Sequence, residues 1–304
     1  MNLKFEEAYN QYLIYIENRQ KIQSIKDLKE KFQNKILPYF KDYNIHEIKE
    51  IDYMRWQNII EKQNYSNNYK ENLHYIFSGF INYCMLYHNL KSNFVKKVGM
   101  FKLKNEKSKF DFYTLKEFKK FIKQVDNNVY KQFFNLMYFT GTRPGEAMAL
   151  KFSDLSKYQI SINKSISEHS INGKRTIDTP KNISSVREIT IDKKLYKDLI
   201  NLKNIYENTK EDYFIFGGSK PIAPTSINRV KKKASEKANL RQITIHQFRH
   251  SHATLLYKHN IPLKAIKDRL GHSNINTTTS IYVHLDNKQK KKVQRKLSLI
   301  RLFF

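Results

Sequence analysis

Apolar residues recur at three- and four-residue intervals along most of this chain, and that spacing favours helices over any other element. Phe5, Ala8, Tyr9, Leu13 and Ile16 fall on one helical face. Leu73, Ile76, Phe80, Cys84 and Tyr87 form a stripe in a longer helix expected from Tyr69 to Tyr87. Further helices are expected within 25–40, with Pro38 near the end, and from Ile51 to Ile60. Only 8 Gly and 6 Pro punctuate the 304 residues, which argues against fibrous, repeat and all-β chains. At roughly 100–200 residues per domain, the length suggests two domains. Cys84, the single cysteine, sits on an apolar stripe and is expected to be an inert core residue. One cysteine also excludes a disulfide framework and a cysteine-based zinc site.

The second half changes period. Thr114-Leu-Lys-Glu117 is a capping box that should open a helix over 115–125, followed by another at about 129–140. Gln159-Ile-Ser-Ile-Asn and Val186-Arg-Glu-Ile-Thr-Ile then alternate apolar and polar, as strands do, with the hairpin dipeptide Asn172-Gly173 between them. Helices resume at about 192–207, 224–238, 244–259, 262–270 and beyond 275. The expected fold is mainly α with a small antiparallel β-sheet over about 158–191. A helical domain over 1–105 should be joined by a charged linker, 96–111, to a second domain over 110–304 that ends in a tail, 285–304. No run of about 18 apolar residues exists to span a membrane, and the start, MNLKFEEAYNQYL, lacks the apolar core of a signal peptide.

Charge speaks to partners. Lys and Arg number 56 against 28 Asp and Glu, a net charge of +28. An AT-rich coding bias accounts for lysine over arginine but not for bases outnumbering acids two to one. Such an excess points to nucleic acid or an anionic surface. The stretch KQKKKVQRK (288–296) is either a solvated helix face or a set of phosphate contacts.

Six of the ten histidines lie within 246–284, so a metal site is the first chemistry to test. His246-Gln-Phe-Arg-His250 is one residue from a zinc-protease helix, but Gln247 has no carboxylate to activate a metal-bound water. Read instead as His246-x-x-Arg249, the same segment puts an imidazole and a guanidinium on one helical face. A guanidinium offers a planar fork to two phosphate oxygens, and an imidazole can move a proton. Upstream, Thr140-Gly-Thr-Arg143-Pro-Gly-Glu146 places Arg143 at a helix start, with Pro144 in its first turn and Glu146 able to hold the arginine. Thr179-Pro-Lys181 precedes a strand, and Leu270-Gly-His272 leads to Tyr282 ten residues on. His250 and His252 are read as helix packing or phosphate contacts, His284 as a helix cap, and Tyr213 and Tyr257 as ordinary core or surface aromatics.

Arg143, Lys181, His246-x-x-Arg249, His272 and Tyr282, in that order and spacing, resemble the active site of the tyrosine recombinases, the phage integrase family. The likeness covers nearly all of 110–290. Phrases such as GTRPGEAMALKFSDL are similar to integrases of phages and mobile elements of low-GC Gram-positive bacteria. Residues 1–105 resemble, more loosely, the helical core-binding domain of that family.

The resemblance implies site-specific DNA recombination through a 3′-phosphotyrosine intermediate, with Tyr282 as nucleophile and no need for ATP or a metal ion. Arg143 and Arg249 would neutralise the non-bridging oxygens in the transition state. Lys181 would protonate the departing 5′-oxygen, although Lys164 and Lys174 lie nearby on the same sheet. His246 would assist proton transfer with Tyr282, and His272 would hydrogen-bond a phosphate oxygen. The implied partners are double-stranded DNA attachment and core sites and three further protomers in a homotetramer. A host bending factor and a directionality factor would assist, all in the bacterial cytoplasm. The chain starts almost directly with the core-binding helices, so either it works without arm sites or the full product is longer and this is a shortened form. A Xer-type resolution recombinase and a catalytically dead DNA-binding regulator of the same fold are the alternative readings; a type IB topoisomerase shares the chemistry but not the first domain.

Overall fold

The structure, a computed structural model, describes residues 3–20, 22–102, 111–167, 177–178 and 186–271. The chain divides into two compact units, Met1–Ser108 and Lys109–Phe304.

The first unit is helical throughout its described elements: α1 (Phe5–Glu17), α2 (Ile22–Lys31), α3 (Leu37–Phe40), α4 (Glu50–Glu61), α5 (Asn67–Tyr87) and α6 (Phe94–Val98). Between α2 and α3 the helix widens into a π-turn over Phe32–Ile36, in which the Leu37 N–H reaches back five residues to Phe32 O. Pro38, which has no N–H to give, follows directly. The single tryptophan ties this turn to α4: Trp56 Nε1 donates to Lys35 O at 2.8 Å. The apolar stripes expected from the sequence meet in a core of rings. Phe5 lies 4.9–5.7 Å from Phe40, Phe77 and Phe80, and Trp56 lies 5.4 Å from both Tyr53 and Phe77. Cys84 is fully buried among them, and burial pushes its thiol up to about 12, so it is not a nucleophile at neutral pH. Within the stretch 96–111, residues through Val98 are helical and Phe101 is buried, while 103–110 lie outside the described residues.

The second unit opens with α7 (Leu115–Lys123), whose start is set by the capping box: the Thr114 N–H donates to Glu117 Oε2 at 2.7 Å and Thr114 Oγ1 accepts from Glu117 N at 3.3 Å. Next come α8 (Asn128–Thr140) and the short α9 (Pro144–Ala149). Strands β1 (Leu155–Ser156), β2 (Gln159–Ile162) and β5 (Arg187–Thr190) form an antiparallel sheet in the order β1-β2-β5, with Ile160 opposite Ile189 and Ile162 opposite Arg187. A second antiparallel pair, β3 (Ser165–Ile166) with β4 (Ile177–Asp178), was not expected, because two-residue strands carry no readable alternation. The Asn172-Gly173 turn lies outside the described residues. The rest is helical: α10 (Lys193–Ile200), α11 (Pro224–Lys237), α12 (Gln247–Lys258) and α13 (Leu263–Leu270). The helix expected over 192–207 is α10 followed by a 3-10 turn, Asn201–Ile205. No described helix is long and apolar enough to cross a membrane.

Candidate active site

The site of the second unit forms where α9, β5, α12 and the end of α13 converge, and each element starts or stops there for a local reason. Helix α8 ends at Gly141, whose φ of 68° is left-handed. A Cβ there would stand 2.6 Å from His252 Cδ2 and from Leu270 Cδ2, so only glycine fits between α12 and α13. Arg143 is the N-cap of α9, and Pro144 takes the first helical position. Gly145 is required as well, since a Cβ would lie 2.5 Å from Ile166 O on β3. The turn that leads into α12 is closed by a reciprocal pair: Gln247 Oε1 accepts from Thr244 N at 2.5 Å, and Thr244 Oγ1 accepts from Gln247 N at 3.3 Å. Gln247, which stands where a zinc protease helix has its glutamate, thus holds the turn before the helix. The preceding segment is tied down by Lys231 on α11, whose buried ammonium donates to Ile243 O.

Arg249 is 1% exposed. Its guanidinium donates to Gly141 O and to Leu270 O, each at 2.7 Å. Burial, and after it the Arg143 charge, lowers its pKa to about 9, which leaves it charged at neutral pH. Arg143 is more open. It donates to Glu146 Oε1 at 2.7 Å and to Gly271 O at 3.1 Å. Glu146 is 3% exposed and also accepts the Arg143 backbone N–H at 2.8 Å, the return half of a capping box. Burial alone would raise its pKa; the hydrogen bond and charge of Arg187, and then of Arg143, outweigh it and hold the carboxyl below its usual range.

His246 is open to solvent on one side. Enough protein surrounds its ring that desolvation, followed by His250, Arg249 and Arg143, lowers its pKa to about 4. It is therefore a neutral imidazole at pH 7. Its ring meets that of His250 edge-on at 5.2 Å. His252 belongs to the packing: Nδ1 donates to Tyr138 O at 2.9 Å, Nε2 accepts from Arg269 Nε at 3.1 Å, and burial followed by the Arg269 charge drives its pKa down to about 3.

The structure thus brings Arg143, Glu146, His246 and Arg249 together. Lys181, His272 and Tyr282 lie outside the described residues, as do Lys174 and the tail 285–304. Lys164 is engaged elsewhere, 2.5 Å from the buried Asp154 carboxylate. Sequence reasoning missed Arg187. It donates to Glu146 Oε1 at 3.1 Å, to Glu146 Oε2 at 2.9 Å and, through Nε, to Arg269 O at 2.9 Å. The signal was present: Arg187 is in phase with Ile189 and Ile191, both buried, so it lies on the inward face of β5.

Comparison with known proteins gives this arrangement its context. The Phage integrase family profile matches residues 111–289, and the profile of its N-terminal SAM-like domain matches residues 4–60. The chain is 34% identical to the ICEBs1 integrase of Bacillus subtilis (strain 168) over 197 residues, which is 61% of this chain and 54% of that protein. It thus spans about half the length of that relative. Among solved structures, the fold is similar to the Tn1549 transposon integrase in complex with transposon right end DNA (TM-score 0.79, 17% identity, 96% of this chain and 99% of that one). A lambda integrase tetramer bound to a Holliday junction matches with a TM-score of 0.69 at 16% identity, over 92% of this chain and 77% of that one. With its family's profile matched over more than half its length, the chain belongs to the phage integrase family.

Proposed function

We propose that the protein is a site-specific DNA recombinase of a mobile element, which cuts and rejoins duplex DNA through a 3′-phosphotyrosine. The observation that carries this reading is the convergence of Arg143 and Arg249 on adjacent carbonyls, Gly271 O and Leu270 O, beside a neutral His246. Two guanidiniums from different elements aim at one small volume, as neutralising a phosphodiester in its pentacoordinate state requires.

In the proposed reaction the Tyr282 oxygen attacks phosphorus as its proton passes to His246, and the bond from phosphorus to the 5′-oxygen breaks. Lys181 gives that oxygen its proton, leaving a free 5′-hydroxyl and the 3′-phosphate on tyrosine. Lys164 is a poor alternative donor, because its ammonium is engaged by Asp154. Arg143 and Arg249 hold the non-bridging oxygens with His272, and Glu146 holds Arg143. Rejoining runs the steps backward with an incoming 5′-hydroxyl. The Holliday junction in the lambda integrase structure supports pairwise exchange by four protomers. The excess of basic residues supports a grip mostly on phosphates.

The test is covalent trapping on a nicked duplex. The wild-type chain is expected to form a protein–DNA adduct that persists in excess EDTA. Tyr282→Phe is expected to bind the same duplex with affinity nearly unchanged and to form none. An adduct from the Phe variant would overturn the nucleophile assignment. Binding without any adduct from the wild type would favour a DNA-binding regulator. Loss of the adduct in chelator, restored by one divalent ion, would return His246 and His250 to consideration as metal ligands.

A further inference from the structure

We infer that Arg187 is a positioning residue for phosphate binding, one that keeps the Glu146 carboxylate from neutralising Arg143. The inference rests on the recombinase reading above and assigns a role to a buried residue through its contacts with Glu146 and Arg269 O.

Exposure separates the two arginines. The Arg143 side chain is 35% exposed and meets Glu146 from the solvent side; that of Arg187 is 7% exposed and meets it from within. Arg187 spends its donors inward, on both oxygens of Glu146 and on Arg269 O. Glu146 in turn accepts four bonds from two guanidiniums and one backbone N–H.

Charge explains why two partners are needed. A buried carboxylate facing only Arg143 would form a closed ion pair of zero net charge, at the place where a phosphate has to be held. A carboxylate would then compete with phosphate for the same fork. Arg187 supplies a second positive charge on the far side of Glu146, so the group of three carries a net positive charge. Glu146 can then orient Arg143 without cancelling it. The sequence pattern fits this division of labour. Arg187 opens β5 on its inward face, where an arginine needs a buried acid to be tolerated.

A tie between β5 and α13 through Arg269 O would be the merely structural alternative, and a mutant cycle on the full chain separates the two. Arg187→Gln, Glu146→Gln and the double variant are compared by thermal unfolding, by equilibrium binding to the nicked duplex, and by single-turnover adduct formation at saturating DNA. Arg187→Gln is expected to slow adduct formation by roughly 10²-fold, the size of effect that misplacing a reacting group produces, with binding changed only about 3-fold. In the Glu146→Gln background the same substitution is expected to slow it less than about 3-fold, because no carboxylate is left to capture Arg143. An equal loss in both backgrounds overturns the inference, as does a wild-type rate in Arg187→Gln. If Arg187→Gln does not fold, Glu146→Gln and the double variant still decide, since they lack the buried carboxylate: a further loss of more than about tenfold in the double variant means that Arg187 does not act through Glu146. No adduct from the wild-type chain would defeat the recombinase reading itself, a result distinct from all of these.

Discussion

The first unit buries rings and the second buries charge. In the first, Phe5, Phe32, Phe40, Phe77 and Phe80 stack and edge against one another, and the buried polar groups are mostly neutral and bonded. His74 pairs with Tyr53 at 2.9 Å, and Asn93 with Ser78 and Asn82. Among the described residues, Lys70 is the one charged residue type buried there. The second unit also has an aromatic core, but Glu146, Asp154, Lys231 and Arg249 are buried with it. Aromatic packing stabilises wherever it occurs. Buried charge does not: desolvating an ion costs several kcal/mol, and its partners only offset that cost. A fold that buries an arginine at 1% exposure over two carbonyls gains little stability by it. What the two carbonyls do is fix the position of the guanidinium.

This contrast can be broken most directly at the arginines. Arg143→Lys and Arg249→Lys each keep a charge but lose the fork. Each is expected to slow adduct formation by about 10²–10³-fold, or ~3–4 kcal/mol of transition-state stabilisation. Lys181→Ala should be slow for a different reason, and a 5′-bridging sulfur should rescue it, because a thiolate leaves without a proton. The same substrate should not rescue either arginine variant. Single-turnover rates on oxygen and sulfur substrates decide this, and rescue of Lys164→Ala or Lys174→Ala instead would move the acid along the hairpin.

In the first unit the expected loss is of stability. Phe77→Ala removes a ring that touches Phe5, Phe40, Tyr53 and Trp56, and should lower stability by about 3–5 kcal/mol. Trp56 is the only tryptophan and is 1% exposed, so its fluorescence reports this unit alone. The Trp56 transition should shift in Phe77→Ala and stay in place in Arg249→Lys. A shift of equal size in both would mean that the two interiors are not distinct in kind.

The smallest expected effect is on acid sensitivity. His252 has a pKa lowered from 6.5 to about 3 in the folded chain, so the unfolded chain binds its proton first. Its contribution is fully present above pH 6.5 and is lost progressively as pH falls from there toward 3, at up to about 1.4 kcal/mol per pH unit. Denaturation of the second unit, followed by circular dichroism between pH 7 and 5, should show this slope together with those of His246 and His250, whose pKa values are lowered as well, and His252→Gln should make it shallower by its own share. An unchanged slope in the variant would place the acid sensitivity on other groups.

Much of this molecule is legible from neighbours along the chain. Thr114 and Glu117 announce the start of α7, and Pro144 that of α9, because caps are satisfied within a few residues. Strands β2 and β5 alternate visibly, while β3 and β4 are too short to do so. The π-turn at Phe32–Ile36 is invisible, since it is a change of hydrogen-bond register and not of residue type. The candidate site divides in the same way. Arg143, His246 and Arg249 stand out by type and spacing, and Glu146 by its offset from Arg143. Which groups hold them does not: Gly141 O is 108 residues from Arg249, and Glu146 is 41 from Arg187. Only the inward phase of Arg187 hinted that the acid has two partners.

Three successive carbonyls at the end of α13 are taken by three arginines: Arg269 O by Arg187, Leu270 O by Arg249 and Gly271 O by Arg143. This has a consequence for how the protein is made. Synthesis runs from the first residue onward, and α13 is the last helix among the described residues to leave the ribosome. Until it does, the three guanidiniums lack the carbonyls that aim them. The aim of all three guanidiniums therefore depends on a single helix end, which the chain supplies only after every other described element has been made.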